Sequence, residues 1–496
     1  MLFVLRIYFV SLKYLLIKFN TMKLSQIYNL GKSQAELDFV DIDPSEDLPL
    51  FLDPFFLSIK KDNWSHEATL TLRSFFQQVI DLIRVNDEDG AKALFDHLHE
   101  PNVTCLGMSV GDPRGRGVGN QDTDKIYESL LRSRAIQTGL IRDIEDNILF
   151  VDNFGKDKLS DMTTNIITKH LIEYTQNQCR LNNIPLLDGI NSGFYWDRYE
   201  GEWVSSHSQM LVYGDKKLLL VPKGIVSFSK DYTPDKYYNQ FVLNFLQNEN
   251  LRLNSVLVQR RSNGDRYVTK KSLKETNPQS KDFLRRFTQE HPEVLEQFKE
   301  ETDVDSVKNI EISDISIGDV TRGLIERLRQ MPAGSETASD YHNIIIGILE
   351  IMFYPHLINP IKEREIHEGR KRIDISFDNS AKQGIFRRLS ENMRIPCPYV
   401  FVECKNYSRE IANPELDQIG GRFSINRGQV GFIVCRQIDN FQLFIERCRD
   451  TYRDGRGLII PLVDQDFIDI LQNYTDLNSE FIETFLSDRV REIAIN

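Results

Sequence analysis

Two short apolar runs near the C-terminus carry charge inside a pattern that otherwise reads as buried strand. They are Arg372-Ile373-Asp374-Ile375-Ser376-Phe377 and Tyr399-Val400-Phe401-Val402-Glu403-Cys404-Lys405. Continuous apolar stretches of this length mark strands covered on both faces, where charged residues are rare unless they have a partner or a task. Strand side chains alternate, so Glu403 and Lys405 share one face and Cys404 takes the other. Upstream, Ser339 or Asp340 is placed to cap a helix running to about Tyr354, with Glu350 in its last turns. Downstream, Asn413-Pro414-Glu415 opens a further helix, proline in its first turn and acids following, and Gln418 lies on it. The order is helix, strand, strand, strand, helix, strand, with residues 381–389 reading as a helix inserted between the two charged strands.

The rest of the chain has a different texture. Residues 70–84 and 91–99 are helical in pattern, while 218–222 and 255–258 are strand-like, so the segment from about 38 to 263 reads as α+β. Residues 270–301 are a charged stretch with apolar positions at helical spacing, and Val320, Leu324, Ile325 and Leu328 fall on one face of another helix before the Met331-Pro332-Ala333-Gly334-Ser335 break. The organisation expected is a larger α+β N-terminal region over 22–265, a helical connector over 266–330 and an α/β C-terminal domain over 331–496. Residues 1–21 are apolar but hold Arg6, Lys13 and Lys18, each costing about 2.5–3.5 kcal/mol near the centre of a membrane. They read as a mis-assigned start, with translation beginning at Met22; an apolar leader lying on a membrane surface is the alternative. No membrane partner is expected.

At 496 residues the chain exceeds what one core usually supports. Its net charge of −12 argues against a surface coated for nucleic acid. The acid lies mostly elsewhere, however: residues 339–460 hold 18 Lys and Arg against 16 Asp and Glu, a net of +2, leaving −14 outside them. Six cysteines without a CxxC pair, several in apolar runs, suggest reduced buried thiols and a cytoplasmic protein. The histidines have no zinc spacing.

The chemistry that suits two carboxylates beside an ammonium is phosphodiester hydrolysis. It needs a nucleophilic water, relief of negative charge on the phosphoryl oxygens and neutralisation of the leaving oxygen. Asp374 and Glu403 are hard oxygen ligands suited to magnesium, and Lys405 is placed to orient or deprotonate the water or to offset developing charge. The bland alternative is an exposed Glu403–Lys405 ion pair worth about 0–1 kcal/mol.

These residues resemble the PD-(D/E)XK nuclease superfamily, the restriction-endonuclease-like fold, and within it the Mrr-like nucleases. The likeness spans roughly residues 330–470 and rests on Glu350, Asp374, Glu403-Cys404-Lys405 and Gln418. It implies a mixed sheet flanked by helices and an endonuclease using Mg2+, with Mn2+ able to substitute. Asp374 and Glu403 would bind the metal with Glu350 joining the shell, Lys405 would assist the water, and Gln418 would position it. The resemblance further implies DNA in preference to RNA as substrate, a bacterial restriction or anti-phage role and a homodimer. An RNA nuclease or a catalytically silent nucleic-acid-binding scaffold is the alternative. The proline of the family name is absent; Arg372-Ile373 stand before Asp374.

Arg370, Lys371, Arg387, Arg388 and Arg422 are the basic positions expected to meet nucleic acid. The N-terminal region is expected to sense the target, a partner protein or a small-ligand trigger. Its candidates are a glycine-rich segment over 107–119 and the group Lys156, Lys158 and Asp161, where Ser160 or Asp161 would cap a helix from Thr163 to Gln178 and its N-terminus attract an anion. Trp196 and Trp203 are expected in the core or an interface rather than stacked on bases.

Overall fold

A computed structural model of the chain describes residues 22–98, 101–107, 156–227, 233–306, 317–366, 371–407, 411–474 and 479–495. The C-terminal region is built on a five-stranded sheet ordered Leu458–Val463, Val430–Cys435, Tyr399–Lys405, Lys371–Asn379, Leu357–Ile366. The three strands earliest in sequence pair antiparallel and the last three run parallel. Parallel neighbours need a crossover, and the helices Asn413–Gly420 and Phe441–Arg453 supply the two required here. Val430–Cys435 is buried at every position, as a strand covered on both faces should be. The mixed α/β character expected of this region, a mixed sheet flanked by helices, is what the structure has.

The helix Ala338–Phe353 is buried continuously from Ile344 to Phe353. A helix apolar all round must be covered all round. One side packs into the sheet core with Phe353 stacked on Phe432 at 5.5 Å, and the other meets the N-terminal region, where a Cβ on Gly347 would lie 3.2 Å from the Glu36 carboxylate. Thr337 immediately precedes it without a side-chain cap, so Ser339 and Asp340 lie inside the first turn rather than capping it.

The N-terminal region packs the helices Asn63–Arg84, Lys156–Ile166 and Thr168–Leu181 with an antiparallel sheet, Leu187–Asp197, Glu202–Tyr213 and Lys216–Leu218. Trp196 is 1 % exposed and meets Phe75 edge to face at 5.2 Å, while the partly buried Trp203 packs against the same core and its indole donates to the Leu94 carbonyl. The strand expected over 255–258 is a turn, with Val256 fully exposed.

The helices of the connector pack on two different cores. The helices Lys270–Thr276, Lys281–Glu290 and Pro292–Ser306 close a second core with Phe55, Phe56 and Tyr237 to Leu243. The helix Ile317–Gln330 instead puts Leu324, Ile325 and Leu328 into the sheet core. An amphipathic helix cannot leave its apolar stripe in water, so neither piece is a free spacer.

All six cysteines are free and buried. Burial holds each thiol protonated, Cys105 at about 11 and Cys179, Cys397, Cys435 and Cys448 at about 12. The native protein should therefore react with Ellman's reagent only slowly, all six thiols appearing once it is denatured; rapid labelling without denaturant would show this core to be open. Among the described residues no helix is long and apolar enough to cross a membrane.

Candidate active site

The paired register of the two charged strands ends at Val402 opposite Ile375. The next positions are Glu403 and Asp374, and here the Asp374 carboxylate takes the place of a ladder bond, accepting from the Cys404 backbone N–H at 3.1 Å. Cys404 itself faces the core on the other side of the sheet. Glu403 is wholly buried. Its carboxylate survives there because two cations lie against it: Lys405 Nζ at 2.7 Å from Oε1, and the Arg422 guanidinium on Oε2. Lys405 also donates to Gln418 Oε1 at 3.0 Å, and its ammonium lies 5.8 Å from the centre of the Tyr407 ring. Asp374, Glu403, Lys405 and Gln418 are thus brought together.

Arg422 is held by backbone chemistry the sequence does not advertise. The helix Asn413–Gly420 ends at Gly421, and the next residue but one, Phe423, stacks on Phe401 at 5.9 Å. Phe423 fits because Gly431 and Gly457 lack side chains: a Cβ on Gly431 would meet the Phe423 ring at 3.1 Å and Ile419 at 2.7 Å. Arg422 is consequently 8 % exposed and turned into the site. Burial lowers its pKa from the usual guanidinium value, and the nearby Asp374 charge opposes that shift. Of the five basic positions expected to meet nucleic acid, this one lies against the Glu403 carboxylate.

Two others make contacts within the chain. Arg387 pairs with Glu391 at 2.7 Å, and Arg388 ties the inserted helix Gly384–Glu391 to Glu483 at 2.7 Å and Ser487 at 2.6 Å, so both serve intrachain contacts. Arg370 and the Lys371 side chain lie outside the described residues.

Glu350 does not join the carboxylate cluster. Its Oε2 lies 3.1 Å from Lys223 Nζ, with both side chains buried, at the junction with the N-terminal region. The residue of its helix that does reach the site is His342, eight positions earlier and so about 12 Å along the axis. His342 donates to the Cys404 carbonyl and faces Asp374, Lys362 and Lys405. Burial lowers its pKa. No spacing in the sequence distinguishes His342 from the other histidines; only the helix's placement over the strands does.

In the N-terminal region the capping arrangement is also revised. The helix starts at Lys156, ends at Ile166, and is followed by a second helix from Thr168. Ser160 and Asp161 are therefore interior to the first helix, and the Ser160 hydroxyl accepts from the Leu52 backbone N–H at 3.0 Å. Lys158 and Asp161 are both engaged within the protein. The Lys156 side chain and the glycine-rich segment from 108 onward lie outside the described residues.

Among the described residues no three His, Cys, Asp or Glu side chains are gathered as a protein-built metal cage requires. Two carboxylates at a strand opening still fit magnesium, which keeps several waters and takes one or two carboxylates together with substrate phosphates.

Residues 29–233 match the model of a domain of unknown function, DUF8370. The chain is similar to an Escherichia coli (strain K12) protein named "Putative transposon gamma-delta 80.3 kDa protein", 27% identical over 177 residues, which is 34% of this chain and 24% of that protein. The chain thus spans about a quarter of that relative's length. No solved structure matches.

Proposed function

We propose that the C-terminal region is a restriction-endonuclease-like PD-(D/E)XK domain of the Mrr-like branch, and that the protein is a metal-dependent endonuclease cutting DNA. The observation that carries the reading is the meeting of Asp374, Glu403 and Lys405 where two neighbouring strands part. A buried carboxylate flanked by two cations is an expensive arrangement for structure alone, because an apolar cluster would fill the same space at least as stably. Asp374 and Glu403 would hold magnesium, or manganese in its place; when bound, the ion supplies charge neutralisation on the phosphoryl and leaving oxygens. Lys405 presents an ammonium beside the nucleophile's position, and Gln418, accepting from Lys405 through Oε1, keeps its amide N–H groups for a water or phosphate oxygen.

DNA as the substrate is in keeping with the printed name of the E. coli relative, a transposon protein. A cytoplasmic restriction or anti-phage enzyme working as a homodimer, its N-terminal region sensing the target, is part of the same proposal. That region sits where it can influence the site, since Asp38, Lys223 and Gln178 all contact the sheet or its buried helix.

The test is incubation of the full-length protein with supercoiled plasmid and with structured RNA. Cleavage of plasmid in Mg2+ or Mn2+, abolished by chelator and restored by added metal, is the expected result. Cleavage of RNA alone would transfer the reading to RNA. Retention of either polymer without cleavage in both metals would make the fold a silent binding module and sink the enzymatic proposal.

A further inference from the structure

Building on that reading, we propose that Arg422 is a stand-in for the divalent cation: it neutralises the carboxylate pair while the metal is absent and is displaced toward the substrate phosphate when a cation enters. The argument begins with Glu403, which is wholly buried and has each oxygen committed to a different cation, Oε1 to Lys405 and Oε2 to Arg422. A carboxylate in such a place cannot remain charged without partners, so the metal-free fold needs a positive group at this spot. Lys405 alone does not complete the balance, because Asp374 brings a second negative charge within the influence of the same guanidinium. Asp374 and Glu403 are thus set against Lys405 and Arg422, with Lys362 and His342 close by.

Adding a divalent ion upsets that balance. An ion shared by Asp374 and Glu403 would compete with Arg422 for Glu403 Oε2 and repel its charge, so the two cations cannot both keep their best positions. The guanidinium is the one free to move, being at the end of a long side chain, whereas its backbone is fixed: the Arg422 N–H donates to the Ile419 carbonyl at 3.0 Å, and Phe423 is wedged beside it over Gly431. A swing about a fixed Cα keeps the guanidinium near the site, and its planar fork matches a phosphate as well as a carboxylate. The same arginine would thus restrain metal binding in the free protein and favour substrate once metal is present.

The experiment uses the full-length protein and Ca2+, a probe that binds oxygen sites without supporting cleavage in most magnesium enzymes, titrated by calorimetry. Arg422→Met is expected to bind Ca2+ about tenfold more tightly than wild type and, in Ca2+, to bind a short DNA duplex about tenfold more weakly. Arg422→Gln, which keeps a polar amide beside Glu403, should change both in the same directions and guards against a folding defect in the first variant. On the wild type itself, Ca2+ should speed phenylglyoxal labelling of Arg422, read by mass spectrometry. Calcium binding that depends on Asp374 but is equal or weaker in the Arg422 variants would overturn the stand-in role and leave the nuclease reading intact. Absence of Ca2+ binding, or binding that Asp374→Asn leaves unchanged, would overturn both.

Discussion

Lys405→Met is expected to lower phosphodiester cleavage by about two to three orders of magnitude while leaving the chain folded. The chain should tolerate the change because Glu403 keeps its second cation, Arg422, and because the methionine stem fills the channel the lysine stem occupied. On the proposed reading the loss should fall on kcat rather than KM, since the ammonium would act on the reacting water and on the charge that develops on the phosphoryl oxygens, not on distant parts of the polymer. Asp374→Asn removes a carboxylate from the other strand and should be at least as damaging. The informative variant is the double: groups acting as one unit are strongly non-additive, so Asp374→Asn with Lys405→Met should be little worse than the poorer single. If Lys405→Met kept a tenth of wild-type activity, or if the two losses simply multiplied, the cluster would not be working as a unit.

The strand pair was legible because its signals are local. Asp374 and the Glu403–Lys405 pair stand in apolar runs whose alternation fixes which side chains share a face, and the proline at the start of the helix Asn413–Gly420 placed Gln418 on it. What the sequence could not show depends on how elements are stacked. Glu350 and His342 lie on one helix two turns apart, and only the crossing of that helix over the sheet decides that His342 reaches Asp374 while Glu350 reaches Lys223. Arg422 looks like any surface arginine until Gly431 and Gly457 admit the Phe423 ring and turn its neighbour inward. The long hairpin Leu187–Tyr213 carries no clear two-residue period in the sequence, because its exposed face is mixed and register shifts fall between Leu187 and Ile190 and between Asn191 and Phe194. The helix Ile317–Gln330 was correctly amphipathic, but amphipathicity says that a helix packs, not on which core.

The junction between the two regions supplies the second large effect. Lys223→Ala should destabilise the protein by about 3–5 kcal/mol at alkaline pH and by clearly less near pH 5, because it leaves a buried acid unpaired only when that acid is charged. In the wild type, Lys223 Nζ donates to the Leu37 carbonyl at 2.6 Å and to Glu350 at 3.1 Å, and lies 4.3 Å from the centre of the Tyr354 ring. Burial pushes the Glu350 carboxyl up to about 8, with the Lys223 charge opposing that rise and Asp38 adding to it. A carboxyl raised in the folded state gives stability that is complete below its ordinary unfolded value of 4.5 and is lost as the pH climbs through about 8. Removing Lys223 takes away the charge that opposes the rise, so the folded value moves higher and the falling limb extends further into alkaline pH. Denaturant midpoints measured for both proteins from about pH 5 to pH 9 should therefore diverge as the pH rises. Replacing both partners, Lys223→Met with Glu350→Leu, should recover part of the loss and reduce the difference, since the apolar pair removes the Glu350 charge and leaves only the buried Asp38 carboxyl without its cation. A destabilisation independent of pH, or one the double variant does not relieve, would mean that Lys223 acts only through its bonds to the Leu37 and Ala35 carbonyls, and that the two regions are joined by backbone packing rather than by this ion pair.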